Sequence, residues 1–189
     1  MARAASRMVL ALAMVAAARA GSAQSAASPT PAPAPSVAAG PPPCTAPEYR
    51  QFDFWVGNWD VRDPSGQVVG TNNITREYGG CVIQEHWEAK GPVAQIGSSF
   101  NTYSVPGRHW HQTWVDSTGG FLLLDGGMVN GSMLLTAEAP ARTGTGMVRH
   151  RIRFTPNPDG TVRQLWEVSR DSGKTWTANF DGLYVRKAG

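Results

Sequence analysis

Three residue pairs share one spacing that could do chemistry: Glu85-x-Trp87, Gln112-x-Trp114 and Gln164-x-Trp166. In an extended chain, residues i and i+2 point to the same face. Each pair therefore sets an indole beside an acidic or amide group. Trp110 shares the face of Gln112 and Trp114, and Asn101 and Tyr103 would add polar atoms to the same wall. Burying such groups costs about 1–3 kcal/mol each unless they are hydrogen-bonded. An aromatic wall with a few convergent polar groups is the usual lining of a small-molecule pocket. The same residues would also suit a packed core in which the amides satisfy indole N–H groups or buried water.

Other chemistry is thinner. Glu85 is the one acidic side chain placed inside, and desolvation there would raise its pKa, as suits a general acid or base. His150 shares a face with Val148, Ile152 and Phe154, so it or Tyr103 could assist. His109 and His111 are spaced like metal ligands on a strand but face away from the tryptophans, and no third ligand is placed beside them; no metal site is expected. No Gly-x-Ser-x-Gly motif and no reactive thiol are present.

The elements that must position these residues are strands. From Phe52 onward, runs of five to nine residues rich in Trp, Val, Ile, Thr and Tyr alternate with turns such as Pro64-Ser65-Gly66, Asn130-Gly131 and Asp171-Ser172-Gly173. Each turn supplies Gly, Asn or Asp for positive φ, or a Pro that presets φ. About ten strands result, centred near Trp59, Asn73, Gln84, Phe100, Gln112, Leu123, Leu135, Ile152, Trp166 and Phe180. Short meander connections predict an all-β, antiparallel up-and-down barrel, since closure removes exposed edges. Parity in the last strand puts Trp176, Phe180, Tyr184 and Arg186 on the inner face, which adds Tyr184 to the wall.

Gly57-Asn58-Trp59 opens the first strand and Arg186 ends the last, and closure makes those strands neighbours. Arg186 would lie over Trp59 and seal one end by a cation–π contact. This resembles the lipocalin (calycin) pattern of a Gly-x-Trp on the first strand and an Arg beyond the last. The resemblance implies that Phe52-Asp53-Phe54-Trp55 plugs the closed end. Ser169-x-Asp171-x-Gly173-x-Thr175-Trp176 resembles the Asp-box hairpin of sialidases, which implies a folding staple in which Asp171 accepts turn hydrogen bonds, Gly173 takes positive φ and Trp176 anchors.

Across nearly the whole mature chain the sequence is similar to an uncharacterised family of bacterial secreted domains with a calycin-like barrel. The matching segments are Phe52 to Trp59, Trp110-x-Gln112-x-Trp114-Val115-Asp116, Val162-Arg163-Gln164-x-Trp166-Glu167 and Phe180-Asp181-Gly182-x-Tyr184. That likeness implies the fold and lends no activity. A more distant likeness is to nitrobindin, a ten-stranded haem barrel whose axial His sits in the last strands. None of residues 178–186 is His, so haem is not expected and no cofactor is predicted.

The ends set the compartment. Arg3 and Arg7, an apolar run from Met8 to Ala18 and small residues to Ala23 read as a secretory signal peptide over 1–23. At about 11 residues the run is short of the roughly 20 that span a bilayer. Residues 24–43 are mostly Ala, Pro, Ser and Gly and read as a disordered linker. The folded domain is then 44–189, in the periplasm or outside the cell.

The chain has 17 Lys+Arg and 14 Asp+Glu; losing Arg3, Arg7 and Arg19 leaves 14 against 14, which excludes a basic nucleic-acid footprint. Cys44 and Cys81 are the only cysteines, and in an oxidising compartment they are expected to form a disulfide. The favoured partner is a small, partly apolar molecule held in the barrel. The alternatives are an enzyme acting through Glu85 and an envelope domain with a filled barrel.

Overall fold

A computed structural model describes residues 43–91 and 94–187. The expected signal peptide, and all of the expected linker but Pro43, lie outside the described residues. Ten antiparallel strands, each paired with its sequence neighbours, close into one barrel: β1 (Gly57–Arg62), β2 (Val68–Glu77), β3 (Val82–Ala89), β4 (Ile96–Ser104), β5 (His109–Asp116), β6 (Phe121–Val129), β7 (Ser132–Pro140), β8 (Met147–Pro156), β9 (Val162–Ser169) and β10 (Thr177–Arg186). All ten sequence-derived strand centres fall inside these elements. The ring closes through β1 and β10, which pair Trp59 with Arg186 and Val61 with Tyr184. Up-and-down closure leaves no free sheet edge to pair with another chain.

The two ends differ. At the end where β1 begins, the preceding segment turns inward through two short 3-10 turns, Pro47–Arg50 and Asp53–Trp55. Phe52, Trp55 and Trp59 are fully buried there. Phe52 stacks on Trp55 at 4.8 Å and meets Phe154 and Trp110 edge-on at 5.0 and 5.7 Å. This aromatic plug closes the barrel, as the lipocalin resemblance implies. Outside it, the Arg186 guanidinium lies 4.4 Å from the Trp59 ring centroid.

Gly57 is required at this point. Its φ is +151°, and a Cβ would run into the Arg186 guanidinium and the Trp59 indole. The Cys44–Cys81 disulfide ties the plug segment to the start of β3 at the same end.

Alternation sets the wall. On β3, Ile83, Glu85 and Trp87 turn inward while Gln84, His86 and Glu88 turn outward. β10 breaks the rule once: Ala178 pairs Glu167 and Phe180 pairs Trp166, so Asn179 is the extra residue of a bulge. The bulge reverses parity. Trp176 therefore does not share the inner face of Phe180 and Tyr184, as simple alternation predicts. It lies against the outer-face residue Arg151, whose guanidinium is 4.1 Å from its ring centroid. Among the described residues, no helix is long and apolar enough to cross a membrane.

Candidate functional site

Above the plug, inward polar side chains from six strands join into one hydrogen-bonded belt. Gln112 (β5) donates to Asn101 Oδ1 (β4) at 2.7 Å, and Asn101 Nδ2 donates to Ser99 Oγ at 2.9 Å. Ser99 Oγ donates to Glu85 Oε2 (β3) at 2.6 Å, and Asn72 Nδ2 (β2) donates to Glu85 Oε1 at 2.6 Å. Asn72 Nδ2 also reaches the Tyr184 hydroxyl (β10) at 3.3 Å, and that hydroxyl donates to Gln164 Oε1 (β9). The belt answers the cost of placing these groups in a low-dielectric interior, because nearly every one finds a partner. Asn72 Oδ1 is the exception and stays unpaired.

On the far side of the belt from the plug stands a tier of aromatic rings: Trp87, Trp114, Trp166 and Phe180. Two of the indoles lie on glycine. A Cβ at Gly70 would meet three carbons of the Trp87 benzo ring, and one at Gly97 would meet the Trp114 ring. Likewise a Cβ at Gly182 would sit 2.6 Å from two carbons of Phe180. Rings laid over bare backbone hug the wall instead of filling the lumen.

The result is a cavity of about 320 Å³ with Glu85, Gln112, Gln164 and Tyr184 toward its floor and the aromatic tier as its sides. Leu122, Leu124 and Ile152 complete the wall, and Gln95, Asp116, Arg142 and Asn179 also line it. A larger depression of about 630 Å³ lies on the outer wall around Thr71, Asn73, His86, Ser98 and Val115. It is open to solvent, and most of its lining comes from outward positions.

The electrostatics follow from burial and hydrogen bonding. Glu85 is 5% exposed. Desolvation pushes its carboxyl up to about 7, against the opposing pull of the Ser99 and Asn72 hydrogen bonds. Desolvation and the neighbouring Glu85 raise the Tyr184 phenol well above its ordinary value. Desolvation opposes ionisation of Asp116, but bonds from Thr118, Trp114 and Gly120 together hold it down at about 2. His150 is lowered by desolvation and then by Arg170, and it accepts the Trp166 indole N–H at 3.2 Å.

Most of the residues read from sequence as a ligand wall meet in this cavity: Glu85, Trp87, Gln112, Trp114, Gln164, Trp166 and Tyr184. Three do not line it. Asn101 is wholly committed to the belt, bonding Ser99 and the Ile83 carbonyl as well as Gln112. Tyr103 and Trp110 belong to the closed end, where Tyr103 packs edge-on against Tyr49 at 5.7 Å and Trp110 donates to Gln51 Oε1. Parity gives the face of a strand residue but not its height along the barrel. Chain before β1 claims these two rings. Asn72 and Ser99, which clamp Glu85, carry no indole two residues on, so the spacing that singled out the others passes over them.

The indoles are not satisfied by the amides beside them. Trp114 donates to Asp116 and Trp166 to His150, while Gln112 donates to Asn101 and Gln164 accepts from the Tyr184 hydroxyl. On the outer face Asp125 Oδ1 lies 3.3 Å from His109 Nε2 and 2.8 Å from His111 Nδ1. Among the described residues no group of three or more His, Cys, Asp or Glu is disposed to hold a metal ion. In the Asp171 hairpin, Asp171 accepts from the Thr175 amide and hydroxyl, and Trp176 Nε1 donates to Gly173 O.

No family model matches this chain, and no curated protein is significantly similar to it. The closed ten-stranded barrel is compatible with a calycin-like fold. A barrel with buried polar groups beneath an aromatic tier can take up a small ligand.

Proposed function

We propose that the chain is a secreted or periplasmic binding barrel, of the uncharacterised calycin-like kind its motifs resemble, that holds a small, partly apolar molecule. The observation that supports this most is the laying of Trp87 and Trp114 over Gly70 and Gly97, which keeps space open above a hydrogen-bonded floor. A barrel selected for stability alone would fill that space with aliphatic side chains at native density. The disulfide is compatible with an oxidising compartment.

Native mass spectrometry of protein taken from the periplasm tests the reading. The wild type should carry a bound small molecule that a Gly70→Val variant, with Trp87 forced into the lumen, lacks. A wild type that is always empty and does not quench with any small aromatic probe would overturn it.

One observation favours a second reading, an enzyme working inside the barrel. A carboxyl with its midpoint near 7 is suited to give or take a proton at neutral pH. Under that reading Glu85→Gln abolishes turnover and leaves ligand affinity intact.

A further inference from the structure

The cavity is unbalanced in charge, and the imbalance points to a class of ligand. Both oxygens of Glu85 accept hydrogen bonds, but the donors, Asn72 and Ser99, are neutral. Among the described residues no Lys, Arg or His forms an ion pair with it. A buried carboxylate is normally matched by a cation, because its desolvation is otherwise uncompensated. Here the space where such a cation would sit is the cavity itself.

The cavity sides supply the rest. Trp87, Trp114, Trp166 and Phe180 come from four strands and face the same space. Aromatic ring faces attract cations, Trp most strongly, and do so best when water is excluded. Asp116, ionised at neutral pH, also lines the cavity, but the Arg142 guanidinium stands beside it, so these two charges offset each other and Glu85 is the lining charge left without a counter-ion. The cation of the lining, Arg142, donates to Thr118 in the β5–β6 turn, on the Asp116 side of the site and away from the floor.

A bare metal ion or a small ammonium would keep its water and lose little by staying outside. An organic cation with apolar substituents is weakly hydrated and gains both from the rings and from the carboxylate.

We propose that the barrel recognises a small organic cation, an alkylated amine or quaternary ammonium, with its charged nitrogen enclosed by the aromatic tier above Glu85. This rests on the binding reading and specifies its ligand class. Burial of Glu85 without a counter-cation lifts its midpoint, and a bound cation would bring it down again.

The test uses a matched pair of probes, phenyltrimethylammonium and its neutral isostere tert-butylbenzene, followed by tryptophan quenching of the mature protein. At about pH 8, where Glu85 is mostly ionised, the cation should bind about ten-fold tighter or more. In Glu85→Gln, checked for folding by its thermal transition, the ratio of the two affinities should fall several-fold, toward the preference the rings alone provide, and a ratio that stays at its wild-type value would overturn the proposal.

A second measurement needs no variant: wild-type affinity for the cation should drop as pH falls through about 7, and affinity for the isostere should not. The other groups facing the site do not mimic this. Asp116 on β5 titrates far below and Tyr184 on β10 far above; His150 on β8 is shifted down from the ordinary His value by desolvation and by Arg170, away from the Glu85 midpoint, and Arg142 contributes a constant charge. If the isostere binds as well as the cation, the cation proposal fails and the binding reading stands. If neither probe binds, both fail.

Discussion

Glu85 binds its proton more tightly in the folded chain than in the unfolded one, and this ties stability to pH. The folded midpoint is about 7, and the unfolded value is that of an ordinary Glu, 4.5. Between those values the native state holds more protons, so stability falls as pH rises. The contribution is complete below about 4.5 and lost above about 7, on the order of 3 kcal/mol in all. Asp116 and Asp171 act in the opposite sense, since their folded values are lowered.

The quantity to measure is therefore the wild-type unfolding free energy minus that of Glu85→Gln. In urea titrations this difference should decline steadily from pH 4.5 to pH 8. A difference that does not change with pH would show that Glu85 is solvated. At this scale the sequence was partly legible. The i, i+2 spacing found Glu85 and the tryptophans, yet the donors that hold Glu85, Asn72 and Ser99, have no indole two residues on.

At the scale of the strand, the aromatic tier depends on glycines that face inward on neighbouring strands. Gly70 on β2 lies beneath Trp87 of β3, and Gly97 on β4 beneath Trp114 of β5. Gly70→Val adds bulk where no Cβ fits, so the Trp87 ring must swing into the cavity. The expected result is loss of probe quenching, with destabilisation of about 1–3 kcal/mol from the forced repacking. Gly66→Ala, in the β1–β2 turn, has room for a Cβ but sits at φ +86°, so it should cost about 1 kcal/mol of stability and leave probe binding as it is. It controls for a general effect of substituting glycine.

The bulge at Asn179 belongs to this scale too. Ala178-Asn179-Phe180 carries no turn residue other than Asn to betray an extra position, so alternation read through it places Trp176 on the wrong face. The hairpin before it was legible because Asp171, Gly173 and Thr175 sit at fixed offsets. Asp171→Ala removes the acceptor for the Thr175 amide and hydroxyl and should lower the thermal midpoint.

At the scale of the whole barrel, the features that lock the fold and the candidate cavity lie at opposite ends. The aromatic plug, the Arg186–Trp59 contact and the disulfide gather at the closed end. The cavity begins beyond the polar belt and opens at the other. The closed end was readable because chain topology alone brings Gly57-Asn58-Trp59 and Arg186 together. The opening was not, since whether a lumen is full depends on ring orientations that no sequence spacing encodes.

This division makes a prediction about reduction. Cys44 and Cys81 are 37 residues apart, and in the chain-entropy model opening such a loop costs roughly 4 kcal/mol of stability. The reduced protein should unfold at lower urea concentration with a broadly similar dependence on denaturant. Below its new midpoint it should bind tert-butylbenzene as tightly as the oxidised form does, because the bridge lies at the closed end, with the polar belt between it and the cavity. If affinity instead falls in step with stability, the belt is not a mechanical partition. The plug would then be part of the binding site, holding the floor in register from beneath.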